Sequence, residues 1–147
     1  MNREILFRGL TKDGKWEYGD LTRVALHSFI VLGRFSVVSA NDGITPKQER
    51  LGFNEWHEVL PETVGQYTGL KDKNGDIIFE GDLFRAFGKG ENDDCCDVVI
   101  FRNGAFGYIP GIIGFVSFAE NPNFNWKHNA SKEIEVIGNI HEATKDE

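Results

Sequence analysis

An internal repeat constrains the fold of this chain more than any other feature of its sequence. Each copy reads aromatic-x-Gly-Leu, a polar turn that contains glycine, a short apolar stretch and then Gly-Asp-Leu-x-Arg; the copies span residues 7–23 and 67–85. Asp-Gly and Asn-Gly pairs in such turns supply the positive φ angles that tight hairpins require. The repeat therefore predicts related β-hairpins near residues 4–23 and 64–85. In each, Gly-Asp should turn the chain, and the carboxylates of Asp20 and Asp82 should accept backbone N–H bonds.

The composition favours the same class of fold. The chain has 147 residues, of which 17 are glycine, 12 are phenylalanine and only 4 are proline, which suits short strands joined by tight turns. Asn103-Gly104, between two apolar stretches, is the strongest single hairpin signal. We expect one domain over residues 1–147, mostly β, forming a small barrel or sandwich-like domain with one or two short helices. Gly-Asp-aliphatic after a hairpin also resembles strand starts in SH3-like barrels, an analogy that concerns the fold alone.

Two segments stand apart from the strand pattern. Thr45-Pro46-Lys47-Gln48 has the capping residue, the N-terminal proline and the capping-box glutamine of a helix start, and Gly52 should end that helix soon after. Residues 112–118 are apolar and fit either a strand or a buried helix.

The sequence predicts a cytoplasmic protein that does not enter a membrane. It has no apolar run close to the roughly 18 residues that a membrane helix requires, and its first residues do not resemble a secretion signal. Its only cysteines are the adjacent Cys95 and Cys96, too few for a zinc site, and we expect both to be reduced thiols.

The net charge of −7 argues against a general affinity for nucleic acid. Residues 1–59 carry equal numbers of basic and acidic side chains, so the whole excess of negative charge lies in residues 60–147. Nucleic-acid-binding proteins usually have the opposite balance, because contacts to phosphate dominate their affinity. A local basic face in the first half of the chain remains compatible with this charge.

Three segments carry a family resemblance: residues 61–85, the opening motif of residues 3–9 with residues 16–19, and the closing residues 135–142. In these motifs and in their order, the chain resembles the YopX family of phage and prophage proteins. The resemblance implies a β-rich fold, a phage-related origin and a bacterial host cell. It implies no reaction and no catalytic residues, because members of the family are mostly uncharacterised. Residues 24–58 and 86–130 lie outside these motifs.

No familiar catalytic or phosphate-binding motif occurs in the sequence, and we expect no cofactor and no metal. The histidines lack metal-ligand spacing; they are His27, His57, His128 and His141. Asp72, Asn74 and Asp76 have the spacing at which a calcium loop begins, but Ile77 and Leu83 occupy the positions of its required Gly and Glu. A polar hairpin turn is the favoured interpretation of that segment. Likewise, Asp20 and Asp82 are more typical of turn residues than of a paired-carboxylate site.

A possible binding surface comprises Trp16, Tyr18, Lys71, Lys73 and Trp126, where aromatic rings lie close to basic side chains in the sequence. Aromatic residues on alternating strands also fill β cores, so this surface needs a structure to test it. The first functional hypothesis is a non-enzymatic accessory protein that binds another protein. The alternatives are a nucleic-acid-binding module and an enzyme with an unfamiliar site. A homo-oligomer is compatible with the first of these, since small β domains with exposed edges readily self-associate.

Overall fold

The computed structural model describes residues 4–32, 35–40, 48–53, 55–86, 96–110, 112, 114–120, 124–125, 130–131 and 134–142. In this part of the chain almost all regular structure is β, the sheets are almost entirely antiparallel, and two short 3-10 helices occur. The predicted mostly-β class with one or two short helices is confirmed. The chain forms two compact units: the N-terminal unit, residues 6–64, and the C-terminal unit, residues 65–147 together with residues 1–5. One domain over residues 1–147 stays a prediction.

The N-terminal unit is built on a four-stranded antiparallel sheet with the order β1-β2-β3-β6. A separate hairpin, β4–β5, precedes β6, and a 3-10 helix at Pro61–Thr63 follows it. The strands are β1 (Phe7–Leu10), β2 (Trp16–Val24), β3 (His27–Val31), β4 (Phe35–Ala40), β5 (Gln48–Phe53) and β6 (Trp56–Val59).

The helix predicted to start at Thr45-Pro46-Lys47-Gln48 is wrong from Gln48 onward. Its first three residues lie outside the described part of the chain, but Gln48 begins β5, which pairs with β4 along its whole length from Gln48↔Ala40 to Phe53↔Phe35. A helix cap contributes only about 1 kcal/mol. A complete ladder with a strand rich in β-branched residues therefore outweighs the local capping signal.

The four-stranded sheet curls until its first strand meets its last. At Gly9, a Cβ atom would lie only 2.6 Å from Val59 Cγ2, so only glycine allows β1 to approach β6 this closely. The Leu60 amide donates to the Leu10 carbonyl at 2.8 Å. Thr63 reinforces this closure, because its Oγ1 accepts the Leu10 N–H at 2.8 Å and donates to the Leu60 carbonyl at 2.7 Å.

The two Gly-Asp pairs of the repeat behave differently. Gly81 has a φ of +90° and turns the chain between β8 and β9, and Asp82 Oδ2 accepts the Phe79 N–H at 2.8 Å, as predicted. The prediction is wrong for the first copy, because Gly19 and Asp20 lie inside the continuous strand β2. Gly19 serves a close approach instead, since a Cβ atom there would overlap the Val31 carbonyl of β3.

The described strands of the C-terminal unit pair in three groups. In the first, β15 runs parallel to β7 and pairs with β14, and β8 pairs with β7; the other two have the orders β10-β9-β16 and β11-β12-β13. A 3-10 helix spans Phe118–Glu120. The strands are β7 (Gly65–Lys71), β8 (Ile77–Phe79), β9 (Asp82–Ala86), β10 (Asp97–Val98), β11 (Ile100–Arg102), β12 (Ala105–Tyr108), β13 (Val116–Ser117), β14 (Phe124–Asn125), β15 (Ala130–Ser131) and β16 (Ile134–Asn139).

A hydrophobic core joins these sheets. The buried members of the core are Leu70, Ile78, Phe84, Val99, Phe118 and Ile134. The Tyr108 ring contacts Phe84 edge-on at 5.3 Å and stacks on Phe118 at 5.7 Å. Burial raises the pKa of Tyr108, and the nearby charge of Asp97 adds to this effect. The ambiguous segment 112–118 contributes both a short strand and, at Phe118, the start of a 3-10 helix.

The hairpin signal at Asn103-Gly104 is confirmed. Asn103 and Gly104 have φ angles of 53° and 78°, and they join β11 to β12 with Arg102 opposite Ala105. Positive φ at both central residues is the backbone that matches the natural twist of paired strands.

Candidate binding surface

The register of the N-terminal sheet determines which side chains share its outer face. Residues directly opposite each other on antiparallel strands project from the same side, and so do residues two apart along one strand. Asp20 lies opposite Val31, which lies opposite Trp56, and the next row across the sheet is formed by Thr22, Phe29 and Glu58. Tyr18 precedes Asp20 by two residues and therefore faces the same way.

Two large aromatic side chains on this face are exposed. Tyr18 is 44% exposed and Trp56 is 59% exposed, whereas Ile30 and Val59 on the opposite face are buried. The face of the two rings is not open throughout, because Val31, between Asp20 and Trp56, is only 3% exposed. Its exposed part therefore lies on either side of Val31. Five residues define what we call the outer aromatic surface: Tyr18, Asp20, Phe29, Trp56 and Glu58. Exposed aromatic residues gathered on one face are typical of interaction sites rather than of a β core.

Trp16 lies on the same side of β2 but is held differently. The Arg8 guanidinium stacks over the Trp16 ring, with its central carbon 4.8 Å from the ring centroid. Arg8 is only 6% exposed, so the chain's own cation occupies this ring face. Trp16 is half-buried and borders the outer aromatic surface through Tyr18.

The surface carries negative charge. Asp20 is exposed, and the side chain of Glu58 is 58% exposed. His27 Nδ1 lies 2.5 Å from Glu58 Oε1, and the His27 ring contacts Phe29 at a centroid distance of 6.4 Å. Among the described residues of this sheet, Arg8 is the only Lys or Arg side chain that projects from the outer face. The surface therefore presents aromatic rings flanked by carboxylates.

Of the residues predicted for a binding surface, Trp16 and Tyr18 lie on one face of the N-terminal sheet. Lys71 and Lys73 belong to the C-terminal unit, where Lys71 is exposed and Lys73 Nζ lies 3.5 Å from Glu135 Oε2. Trp126 lies outside the described residues.

Sequence reasoning missed Trp56 and Glu58. The segment 56–59 alternates on a strand, but Trp56 and Val59 are both apolar and point to opposite faces. Only the pairing of β6 with β3 reveals that the tryptophan faces outward.

The segment that resembles a calcium loop forms the β7–β8 turn, and the Asp72 carboxylate is occupied there by backbone donors. Asp72 is 1% exposed; Oδ1 accepts the N–H groups of Asn74 and Asp76, both at 2.9 Å, and Oδ2 accepts the Val136 N–H at 3.1 Å. These bonds fit the favoured interpretation of a polar hairpin turn. The carboxylate also ties the turn to β16.

His27 and His57 lie near carboxylates but are not part of a cluster of metal ligands among the described residues. His57 Nε2 lies 3.0 Å from Glu55 Oε1, and His57 Nδ1 lies 3.9 Å from Glu17 Oε1. Within the described ranges, no three His, Cys, Asp or Glu side chains gather as ligands for an ion. His128 lies outside these ranges. No helix in the described part of the chain has the length and apolar character needed to cross a membrane.

The fold and the surface define a small, mostly β protein with an external patch of aromatic and acidic residues. The model of the family described as "YopX protein" matches residues 36–145 of the 147 residues, and the chain belongs to this family. The resemblance to the YopX family that the sequence motifs indicate is confirmed. The matched residues begin after the opening motif. They also begin after three residues of the outer aromatic surface: Tyr18, Asp20 and Phe29.

A solved structure with a similar fold is that of protein EF1440 from Enterococcus faecalis. The similarity has a TM-score of 0.54 at 20% sequence identity, and it covers 97% of this chain and 96% of the other. At this identity the similarity concerns the fold alone. None of the curated proteins matches the chain.

Proposed function

We propose that this chain acts by binding another protein through the outer aromatic surface. The observation that carries the proposal is the exposure of Tyr18 and Trp56 on one sheet face. Tyrosine and tryptophan are enriched among the residues that contribute most to protein–protein affinity, because each buries a large area with few rotatable bonds. Their support on paired strands keeps the rings in place before the partner arrives.

The charge of the surface favours a protein over a nucleic acid. Asp20 and Glu58 would repel phosphate groups, and Arg8 is buried against Trp16. The net charge of −7 acts in the same direction at longer range. An aromatic platform for single-stranded nucleic acid would instead combine its rings with exposed cations.

The proposal assigns the chain no reaction and no cofactor. We further propose that the protein comes from a phage or prophage and acts in the cytoplasm of a bacterial host. The exposed free thiol of Cys96 fits that reducing compartment. Roles in binding for Lys71, Lys73 and Trp126 stay predictions.

The test compares full-length variants as baits. The wild-type chain, Trp56→Ala, Tyr18→Ala and the control Ile112→Ala are used to capture proteins from a nuclease-treated bacterial lysate, and the complexes are weighed by native mass spectrometry. Ile112 is a fully exposed apolar residue of the C-terminal unit, so its truncation matches the loss of apolar area without touching the surface. We expect one stoichiometric protein to be retained by the wild type and by Ile112→Ala and to be lost by the two aromatic variants.

Other outcomes overturn the proposal. A partner that all four baits retain equally would show that the outer aromatic surface does not bind it. A partner that disappears with nuclease treatment would favour the nucleic-acid-binding module. Recovery of only a second copy of the chain, with its mass changed by Trp56→Ala, would assign the surface to self-association.

A further inference from the structure

We infer that the outer aromatic surface holds a cationic side chain, Lys or Arg, of the protein that docks on it. This inference rests on the proposed function and names the chemistry that the surface recognises. The observation behind it is that each exposed ring has a carboxylate two residues further along its strand, on the same face. Tyr18 precedes Asp20 on β2, and Trp56 precedes Glu58 on β6.

The spacing suits a single long side chain. Residues two apart on a strand lie about 7 Å from each other, and neighbouring strands are about 4.8 Å apart. Asp20 and Trp56 both lie in the row centred on Val31, so their Cα atoms are separated by two strand spacings, or about 10 Å. A guanidinium or ammonium group on the Trp56 ring is therefore within reach of Glu58. Val31, the middle residue of the row, is only 3% exposed, so the side chain reaches the ring from the Glu58 side and Asp20 acts on it only through its charge.

The chemistry of the two groups is complementary to a cation. The face of an indole or phenol ring attracts a cation placed within about 6 Å of its centroid. A planar guanidinium can stack on the ring while its edge donates to a carboxylate, which a neutral or anionic group cannot do. His27 engages one oxygen of Glu58 at 2.5 Å and thereby helps to orient the carboxylate beside Trp56.

The chain itself contains the arrangement that the partner would reproduce. On the same face of the sheet, the Arg8 guanidinium stacks over Trp16 at 4.8 Å. The ring of Trp56 is 59% exposed, so a cation from outside can approach it in the same way. The net charge of −7 favours the encounter with a basic segment.

The test uses N-acetyl-arginine amide as the probe and N-acetyl-citrulline amide as the control, because citrulline has nearly the shape of arginine without its charge. Each is titrated into the full-length protein, and NMR follows the indole N–H of Trp56. We expect a saturable shift with the arginine probe and none with citrulline. Glu58→Gln should weaken binding about two- to fivefold, the effect expected of an exposed ion-pair contact, and Asp20→Asn should weaken it less, because Asp20 lies about 10 Å from Trp56. Phe101 is an exposed aromatic residue without a carboxylate beside it on β11. Its ring resonances should not shift when the arginine probe is added.

Equal binding of the citrulline control would overturn the inference, and so would an arginine affinity that neither carboxylate substitution changes. Failure here is distinct from failure of the proposed function. If the captured protein is lost by Trp56→Ala but binds Asp20→Asn and Glu58→Gln with unchanged affinity and salt dependence, the surface binds a protein but not through a cation.

Discussion

Replacing Asp72 by alanine removes three backbone hydrogen bonds from the C-terminal unit at once. The carboxylate is 1% exposed and accepts bonds from Asn74, Asp76 and Val136, the last of which is 64 residues away in the sequence. A hydrogen bond to a charged group contributes about 1.5–3 kcal/mol, and bonds that share one acceptor group are not additive. We therefore expect the free energy of unfolding to fall by about 3–5 kcal/mol, a large part of the total for a domain of this size.

Urea unfolding followed by far-UV circular dichroism measures this change, and hydrogen exchange at the Val136 amide reports whether β16 loosens from the turn. Asp72→Asn retains one acceptor oxygen, and its free energy of unfolding should fall by about half as much. This variant keeps the prediction testable if Asp72→Ala does not fold. Asp76→Asn is the control, because that side chain is exposed and the change should stay within about 0.5 kcal/mol. A loss below about 1 kcal/mol for Asp72→Ala would refute the reasoning. So would a Tm raised by millimolar calcium, which would indicate an ion bound to the native turn.

Three further changes test the closure of the N-terminal unit and the burial of one carboxyl group. Gly9→Ala should lower the free energy of unfolding by about 1–3 kcal/mol, because the added Cβ would lie 2.6 Å from Val59 Cγ2 and 2.7 Å from Val59 Cβ. Urea unfolding measures this change, and a loss below about 0.5 kcal/mol would contradict the packing argument. Thr63→Val should lower the free energy of unfolding by about 1–3 kcal/mol, because the buried Leu10 N–H loses its acceptor. Unchanged stability in urea unfolding would show that this hydrogen bond contributes nothing. Burial raises the pKa of Glu80, so the ionised form is disfavoured in the folded state and the wild type should gain stability as the pH falls from the raised pKa towards the ordinary one. Glu80→Gln should be more stable than the wild type at neutral pH and should lack this gain; thermal unfolding across that pH range would contradict the account if the two profiles were parallel.

The turns were predictable wherever a dipeptide alone determines the backbone. Asn103-Gly104 forms its hairpin, and Gly81-Asp82 turns the chain with a capping carboxylate. The same letters at Gly19-Asp20 do not turn the chain, because Gly19 is needed where β3 approaches β2. A glycine that permits a positive φ and a glycine that permits close packing read identically in a sequence, and only the tertiary contact distinguishes them.

The binding surface was predictable only in part, for a related reason. Trp16 and Tyr18 follow from the alternation of one strand, whereas Trp56 and Glu58 join them through the pairing of β6 with β3. The segment between these two strands includes the β4–β5 hairpin, whose length gives no indication of that register. Long-range register is a property of the folded sheet and is not encoded in local spacing.

The most direct test of protein binding by the outer aromatic surface is photo-cross-linking from within it. The cross-linker benzoylphenylalanine replaces Val24, which is 60% exposed and lies beside the surface on the same face of β2, or, as the control, Ile112. The full-length chain is expressed in bacterial cells, irradiated and analysed by mass spectrometry. We predict a covalent adduct with one host or phage protein from position 24 and no such adduct from position 112. Adducts to nucleic acid, or the same protein adduct from both positions, would contradict the claim that this chain binds a protein through Trp56 and its neighbours.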